Sequence, residues 1–429
     1  NFSLIIALDC GIKAIEKVSY ASQKNIDFII CDHHKPGDKL PKAVAVLNAK
    51  REDCSYPFDE LCGCGVGFKL IQALASKRGQ TLEDLTQYLD LVATAIAADI
   101  VPITGENRIL TYFGLQVINS NPRNGIKAII QGVKKNILTI TDVVFIIAPR
   151  INAAGRMKHG NYAVELLTEM DYETAISFAA SIEKFNIERK EIDKKITYEA
   201  LQQIEAADEK EKFSTVVYSE DWHKGVIGIV ASRLIESYYR PTLVFTKSGE
   251  KLAASARSVK GFDVYEALEQ CSEHLEQFGG HKYAAGLTLS PDQYIPFKEK
   301  FEAVVKKTID KELLIPEIAI DSPLELSDIT PKFFRILKQM GPFGPKNMKP
   351  VFTTNAVRDN GYGKRVGADK SHLKLNIING ADQKTYNAIG FGLGDKITST
   401  QNDFDIAYNL DENEWNGNTS IQLLLKDIK

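Results

Sequence analysis

Two short runs, Leu4-Ile5-Ile6-Ala7-Leu8 and Phe28-Ile29-Ile30-Cys31, limit what this chain can fold into, because each is apolar at every position and stops at an acid. A short run apolar at both alternating positions is the pattern of a strand buried on both faces of a parallel sheet. The stretch from Ala14 to Lys24 between them has helical character, so the order is strand, helix, strand. The first run ends in Asp9, with Gly11 just beyond, and the second opens into Asp32-His33-His34. Ligands of open α/β sheets collect at the carboxyl ends of parallel strands. Two carboxylates and two imidazoles are therefore expected in one crevice. A third acid, Asp99, closes the nearly all-apolar helical run Tyr88 to Ala98, and an acid beside so apolar a helix needs a partner.

Asp and His donors without a required thiolate suit Mn²⁺ or Mg²⁺ better than a structural zinc. A carboxylate-rich site of this kind holds two ions about 3.5–4 Å apart, the arrangement of phosphoester hydrolysis. The six cysteines show no framework spacing, which fits a reducing compartment. Cys62-Gly63-Cys64 reads as a tight turn leading into a helix from Phe68 to Ser76 rather than as a zinc or redox site. No apolar stretch approaches the ~20 residues of a membrane span, and no signal-peptide pattern is visible, so a cytoplasmic location without membrane contact is expected.

At 429 residues the chain has room for about three domains. Residues from Asn1 to about Arg150 read as alternating strands and helices, and Tyr172 to Lys212 as a long amphipathic helix with Ile182, Phe185, Ile192 and Ile196 on one face. A second α/β lobe follows, with strands over 214–218 and 242–245 around a helix entered from Gly225. Ser255-Ala256-Arg257-Ser258 and Gly279-Gly280-His281 set a guanidinium and an imidazole among small residues. Small neighbours let a ligand approach the backbone, and arginine grips phosphate with two parallel bonds. Taken alone, Gly-Gly-His reads as a turn.

The last third has a helix from Pro331 to Met340 and then five short strands, over 351–353, 373–378, 386–391, 404–408 and 420–425, which suggest a small OB-type barrel. The whole chain carries a net charge of -3, yet Pro331 to Lys374 holds ten Lys or Arg against Asp359 and Asp369. That local surplus is the footprint of a polyanion. Lys346, Lys349, Lys364, Arg365 and Lys374 are the candidate contacts, with Phe343, Phe352, Tyr362 and His372 interleaved as stacking platforms.

Asp9, Asp32-His33-His34, Ala98 to Pro102, Pro149 to Met157, Ser255 to Asp263 and Gly279 to Gly286 occur in an order that resembles the RecJ family of single-stranded-DNA exonucleases, in the DHH phosphoesterase superfamily. The resemblance implies an α/β protein: a parallel-sheet DHH domain over 1–165, a connecting helix over 166–212, a smaller α/β DHH-associated substrate domain over 213–312 and a C-terminal OB-fold β-barrel over 313–429. It implies 5′→3′ hydrolysis of single-stranded DNA to mononucleotides in repair and recombination, with two Mn²⁺ (or Mg²⁺) ions. By the same resemblance Asp9 bridges the ions, His33 and Asp99 complete one of them, His34 contacts the scissile phosphate and Asp32 orients a histidine. Arg156, Arg257, Ser258, Gly279, Gly280 and His281 would hold the substrate, while Arg150 is divided between a DNA contact and a structural ion pair.

The family's Asp-x-Asp-x-Asp-Gly motif has no counterpart here, so the chain reads as truncated before Asn1 and is expected to bind DNA but hydrolyse it poorly. Implied partners are single-stranded DNA, a helicase and a single-strand-binding protein. Two alternatives stand beside this reading. One is a phosphodiesterase for cyclic dinucleotides or short oligonucleotides, which the long basic C-terminal region opposes. The other is a non-catalytic replication scaffold, which the presence of Asp9, His33, His34 and Asp99 opposes.

Overall fold

The structure is a computed structural model, and it describes residues 2–379, 382–400, 402–415 and 418–429. It divides into two compact units, Asn1–Arg123 with Gly132–Ala148 and Ile318–Lys429, and Asn124–Gln131 with Pro149–Glu317.

The first unit begins with the expected parallel sheet. Strands β1 (Leu4–Leu8), β2 (Asp27–Cys31) and β3 (Ala45–Leu47) lie in that order, with α1 (Ile15–Gln23) as the crossover. Leu4 pairs with Asp27 and Leu8 with Cys31, so β1 and β2 end level. Ile30 and Cys31 are fully buried, but β1 is an edge strand whose Leu4, Ile6 and Leu8 stay exposed, against the expectation that both runs are buried. The expected alternation through residue 150 also stops at β3. From there α2 (Gly63–Lys77), α3 (Leu89–Asp99) and α4 (Gly105–Ser120) follow one another, then a single turn α6 (Ile140–Asp142), after α5 (Asn124–Ile130) of the other unit. Leu89, Val92, Ala93, Ile96 and Ala97 are buried at helical, not strand, spacing. Close helix packing requires Gly114 of α4, where a Cβ would collide with the Leu89 carbonyl and Ala93.

The C-terminal part of this unit is a sheet in the order β11 (Lys364–Val366), β12 (His372–Asn379), β13 (Asp382–Gly390), β15 (Asn418–Ile428), β14 (Phe404–Trp415), β10 (Phe352–Asp359), β9 (Ser322–Pro323). An additional β10–β12 pairing closes it into a barrel. Leu373, Leu375, Ile377, Tyr386, Ala388, Tyr408, Leu423 and Leu425 fill the interior, and α13 (Pro331–Gln339) adds Phe334 and Leu337. Phe352 lies in this core, so it is no stacking platform. β14 and β15 run far beyond the five or six residues expected, because the paired Asp411–Gln422 and Asn413–Ser420 extend the hairpin past the apolar part that marks a strand in the sequence.

The second unit holds α7 (Ala148–Met157, from Pro149 onward), α8 (Asn161–Thr168) and the 35-residue helix α9 (Tyr172–Ala206), which ends before Lys212. Its sheet runs β4 (Thr215–Tyr218), β5 (Thr242–Ser248), β6 (Lys251–Arg257), β8 (Ala284–Leu289), β7 (Gln277–His281). One sheet face packs Leu243, Phe245, Leu252 and Leu287 on Phe297 and Phe301 of α12 (Tyr294–Thr308) and on α11 (Val264–Glu269). The other packs Val217 and Val244 on Val230 and Leu234 of α10 (Ile227–Ser237) and on Ile196, Ala200 and Ile204 of α9. Each such buried aliphatic or aromatic side chain contributes roughly 1.5–3 kcal/mol.

Candidate active site

Level strand ends bring Asp9 and Asp32 together: the Asp9 N–H donates to the Cys31 carbonyl at 2.9 Å, extending the ladder by one residue. Asp9 then adopts φ 62°, a left-handed conformation that costs roughly 1–2 kcal/mol and persists where packing over-determines it. Its carboxylate lies against the first residue of α2, where a Cβ on Gly63 would fall on the carboxylate itself. The run expected as a tight turn is therefore the first turn of α2, capped by Cys62, whose sulfur accepts the Gly65 N–H at 3.3 Å.

Asp32 is 1% exposed and serves as an anchor. Its Oδ2 accepts the Ile12 N–H at 2.9 Å, and its Oδ1 accepts the His33 and His34 N–H groups at 2.8 and 3.2 Å. His34 Nδ1 meets the same Oδ1 at 2.7 Å. Burial alone would push the Asp32 carboxyl up, but the bonds from His34 and the three backbone N–H groups outweigh it, and the net shift is downward. Asp32 thus stays ionised and fixes the His34 ring.

His33 is where the acids converge. Its Nε2 lies 3.2 Å from Asp9 Oδ1 and 3.4 Å from Asp99 Oδ2. The hydrogen bond to Asp9 raises its pKa against the opposing effect of burial, and the Asp99 charge adds to the rise. Asp99 is the last residue of α3, which stops because Ile100 takes φ 58°, a strained conformation for a β-branched residue. His34 joins the cluster: one ligand atom each from Asp9, His33 and His34 lie within 4.8 Å of one another. Carboxylate oxygens and imidazole nitrogens from three separate segments, 3.2–3.4 Å apart around one ring atom, are a donor set that fits Mn²⁺ or Mg²⁺. His33 Nδ1 is buried without a hydrogen-bond partner among the described residues. Burial foremost, with neighbouring charges, pushes the Cys62 and Cys64 thiols up to about 12 and about 11.

In the second unit, Arg257, Ala284 and His281 stand in one row across β6, β8 and β7, and Ser255, Gly286 and Gly279 in another on the same face. Gly279-Gly280-His281 is thus the end of a strand, not a turn. Gly280 has φ 153° and its Cβ would collide with Ala284 and Ala285, so the fold demands glycine there. Gly279 and Gly286 are different. A Cβ would meet nothing within 4 Å at the first and only a backbone oxygen at 3.9 Å at the second, which leaves a bare floor in the row beside Arg257 and His281. Arg257 donates to Ser255 Oγ at 3.0 Å and to the Ala256 carbonyl at 2.8 Å, and Arg156 to the Gly225 carbonyl at 3.1 Å. Ser258 spends its hydroxyl on the Phe262 carbonyl at 3.0 Å, within its own turn. Arg150 is in an ion pair with Glu183 at 2.5 Å.

The expected cationic surface is thinner than its charge count. Lys346 pairs with Glu60 at 2.8 Å, Lys349 with Asp411 at 3.0 Å and Arg365 with Asp395 at 3.1 Å. Lys364 and Lys374 remain, directly opposite each other on β11 and β12 and outside any ion pair among the described residues. Like charges so placed repel, by roughly 0.2–1 kcal/mol. Lys374 borders a groove of about 590 Å³ with Asn387, Ile389, Phe391 and Gln422, and Phe391, 63% exposed, meets the edge of His372 at 5.2 Å. Sequence reading placed Phe391 at a strand end and missed its exposure, because the outward Asn387, Ile389 and Phe391 are mostly as apolar as the buried Tyr386 and Ala388 and no alternation marks the outer face.

Comparison with known proteins agrees with this geometry. Residues 3–96 match the DHH family N-terminal domain, 211–307 the DHHA1 domain and 320–427 the RecJ OB domain. The chain is 36% identical over 434 residues to the single-stranded-DNA-specific exonuclease RecJ of Bacillus subtilis, covering all of this chain and 54% of that protein. It is 32% identical to the protein of the same name from Escherichia coli, covering 99% of this chain and 77% of the relative. The chain thus spans about half the length of the first relative and about three quarters of the second. Crystal structures of RecJ from Thermus thermophilus in complex with Mn²⁺ and with Mg²⁺ align over the full chain, with TM-scores of 0.86 and 0.81 at 27% identity, covering 62% and 61% of those chains. Three family domains in order, together with 32% identity over 77% of the Escherichia coli relative, lead to one conclusion: the chain belongs to the RecJ family.

Proposed function

We propose that this protein hydrolyses single-stranded DNA from its 5′ end to mononucleotides, with Asp9, His33 and Asp99 holding one of its divalent ions. The convergence of both carboxylates on His33 Nε2, at 3.2 and 3.4 Å, carries the reading. When bound, Mn²⁺ or Mg²⁺ supplies Lewis-acid stabilisation of the charge that grows on the phosphoryl oxygens. The protein's own groups do the rest. Asp32 bonds His34 Nδ1 and so fixes the ring in the orientation that presents Nε2 to an oxygen of the scissile phosphate. Arg156 and Arg257 grip phosphates, His281 joins them, and the glycine floor of Gly279 and Gly286 admits the sugar–phosphate backbone closely.

On the barrel, Lys364 and Lys374 relieve their mutual repulsion by neutralising phosphates, and Phe391 with His372 stacks bases. A helicase that opens duplex DNA and a single-strand-binding protein are partners of the same reading, since a stacking and phosphate surface of this kind takes separated strands. No helix among the described residues is long and apolar enough to cross a membrane, and we place the protein with the DNA in the cytoplasm.

The test is Mn²⁺-dependent nucleotide release from a 5′-phosphorylated single strand by the wild type and by His33→Ala, Asp99→Asn and Arg150→Ala. The first two variants should fall to the metal-free background while the third, whose partner is Glu183, stays within a few fold of wild type. Undiminished release by His33→Ala removes the metal centre from the reading, and a preference for a cyclic dinucleotide over the long strand replaces the substrate.

A further inference from the structure

The run Gly341-Pro342-Phe343-Gly344-Pro345-Lys346-Asn347, between α13 and β10, is suited to presenting carbonyls. Its two prolines have no N–H to donate, and their rings fix φ. The loop also braces itself. Gly344 and Asn347 exchange backbone N–H bonds at 2.9 and 2.8 Å, and Asn347 Nδ2 donates to the Met340 and Pro342 carbonyls at 3.1 and 2.9 Å. What it presents is taken up by one segment, the residues that follow Asp99. The Ile103 N–H donates to the Pro345 carbonyl at 2.8 Å. The Ile103 side chain is buried, and a Cβ on Gly344 would collide with its Cγ1, so loop and segment meet with no room for a methyl group. Arg108 Nη2 donates to the carbonyls of Gln339, Met340 and Gly341 at 3.1, 3.2 and 3.0 Å, setting a cation at the negative end of α13. Lys346 pairs with Glu60 at 2.8 Å, and the buried Asn107 donates to the Glu60 and Pro102 carbonyls at 2.6 and 3.0 Å.

The start of that segment is strained. Ile100 takes φ 58° directly after Asp99, a conformation that costs roughly 1–2 kcal/mol and persists only where the surroundings over-determine it. Its own side chain, 68% exposed, contributes little to that. On the upstream side α3 is locked by the close approach of Leu89 and Ala93 to Gly114. On the downstream side the first holds come at Pro102 and Ile103, from Asn107 and from the barrel loop. Asp99 therefore lies between a packed helix and a clamp with one jaw on the barrel, its Oδ2 3.4 Å from His33 Nε2.

We propose that the loop 341–347 is a positioning element of the metal centre: by gripping Ile103 and Arg108 it holds Asp99 where that carboxylate shares an ion with Asp9 and His33. Ile103, Arg108 and Gly344 are positioning residues, which touch neither ion nor substrate and act through Asp99. The inference rests on the metal reading above and deepens it, because it makes the barrel part of what assembles the site.

The experiment titrates Mn²⁺ alone into the metal-stripped protein and follows the loss of the free-ion EPR signal, with a thermal melt of each variant alongside. The variants are Asp99→Asn, Gly344→Ala, Arg108→Met, Arg108→Lys and the pair Gly344→Ala with Ile103→Ala. Gly344→Ala drives a methyl into Ile103 Cγ1, on a β-branched side chain with little freedom to turn away, and Arg108→Met removes the donor to three carbonyls. Both should weaken Mn²⁺ binding about tenfold, the effect expected when the support of a ligand is lost. The pair removes Cγ1 and readmits the methyl, so it should regain Mn²⁺ affinity even though its smaller buried side chain lowers the melting temperature. Arg108→Lys, which keeps one nitrogen with three donors on a long stem, should bind like wild type. Affinities that follow the melting temperatures overturn the inference. So does a folded Arg108→Met that binds Mn²⁺ as wild type does while Asp99→Asn does not, and this comparison decides by itself if Gly344→Ala fails to fold. An Asp99→Asn that binds like wild type overturns the metal reading, and this inference with it.

Discussion

Asp9 and Asp32 occupy equivalent ends of neighbouring strands yet do different work, and their hydrogen bonds decide which does what. Four donors saturate Asp32, whereas Asp9 turns its carboxylate toward His33 and the glycine that opens α2. The glycines divide in the same way. Gly280 is required by backbone geometry, but Gly286 lies in open space where the fold makes no demand on it. Gly286→Ala should therefore leave the melting temperature unchanged or raise it, by up to about 1 kcal/mol of stability, while weakening single-strand binding. Gly280→Ala should destabilise the protein by more than about 1 kcal/mol. Paired thermal melts and binding isotherms check both, and undiminished binding by folded Gly286→Ala would show that the bare floor is not approached by DNA. The convergence of Asp9, His33 and Asp99 was legible in the sequence because each lies at the end of an apolar run. Which glycine serves the fold and which the ligand was not, since that depends on what lies across the sheet.

Among elements, α2 and α9 show where local signals stop. The first turn of α2 is glycine-rich, a composition with poor helix propensity, and contact with Asp9 and Leu8 overrides it. The apolar period of α9 was readable, but the polar centre of its stripe, Asn186, Arg189 and Asp193, looked like surface until the fold buried it. Just after α9, Glu209 ties that helix's end to α12 through Lys298 at 2.9 Å and to Lys212 at 2.9 Å. Burial would raise its pKa, but the bonds to Lys298 and Lys212 prevail and lower it from the ordinary 4.5. A lowered folded-state pKa means stability that is present above the unfolded value and lost as pH falls through the folded one. Glu209→Gln should thus cost about 1.5–3 kcal/mol at neutral pH, with the gap to wild type closing below about pH 4.5. Melting curves across pH test this, and a gap that persists in acid would mean that the loss is steric.

At the scale of the molecule, charge count and charge availability part company. Ten cations between Pro331 and Lys374 promised a broad basic face. Lys346, Lys349 and Arg365 are neutralised by Glu60, Asp411 and Asp395, and Lys338 and Arg358 by Glu412 and Asp403, acids at distant positions in the chain. Half of the ten, Lys332, Arg335, Lys364, Lys370 and Lys374, take part in no ion pair among the described residues, and Lys364 and Lys374 stand directly opposed. Lys364→Glu should hold or raise barrel stability, by up to about 1 kcal/mol as repulsion becomes attraction, and should weaken single-strand binding with a shallower salt dependence. Lys346→Ala should leave that salt dependence unchanged. Equal slopes for the two variants would remove the opposed lysines from the DNA path. What the sequence by itself determined was the order of elements and the inventory of donors, because periodicity and strand-end acids are local facts. Only the tertiary structure decided how closely those donors approach His33, which cations stay unneutralised and which loop braces the segment after Asp99, because those depend on distances between segments that the chain order leaves free.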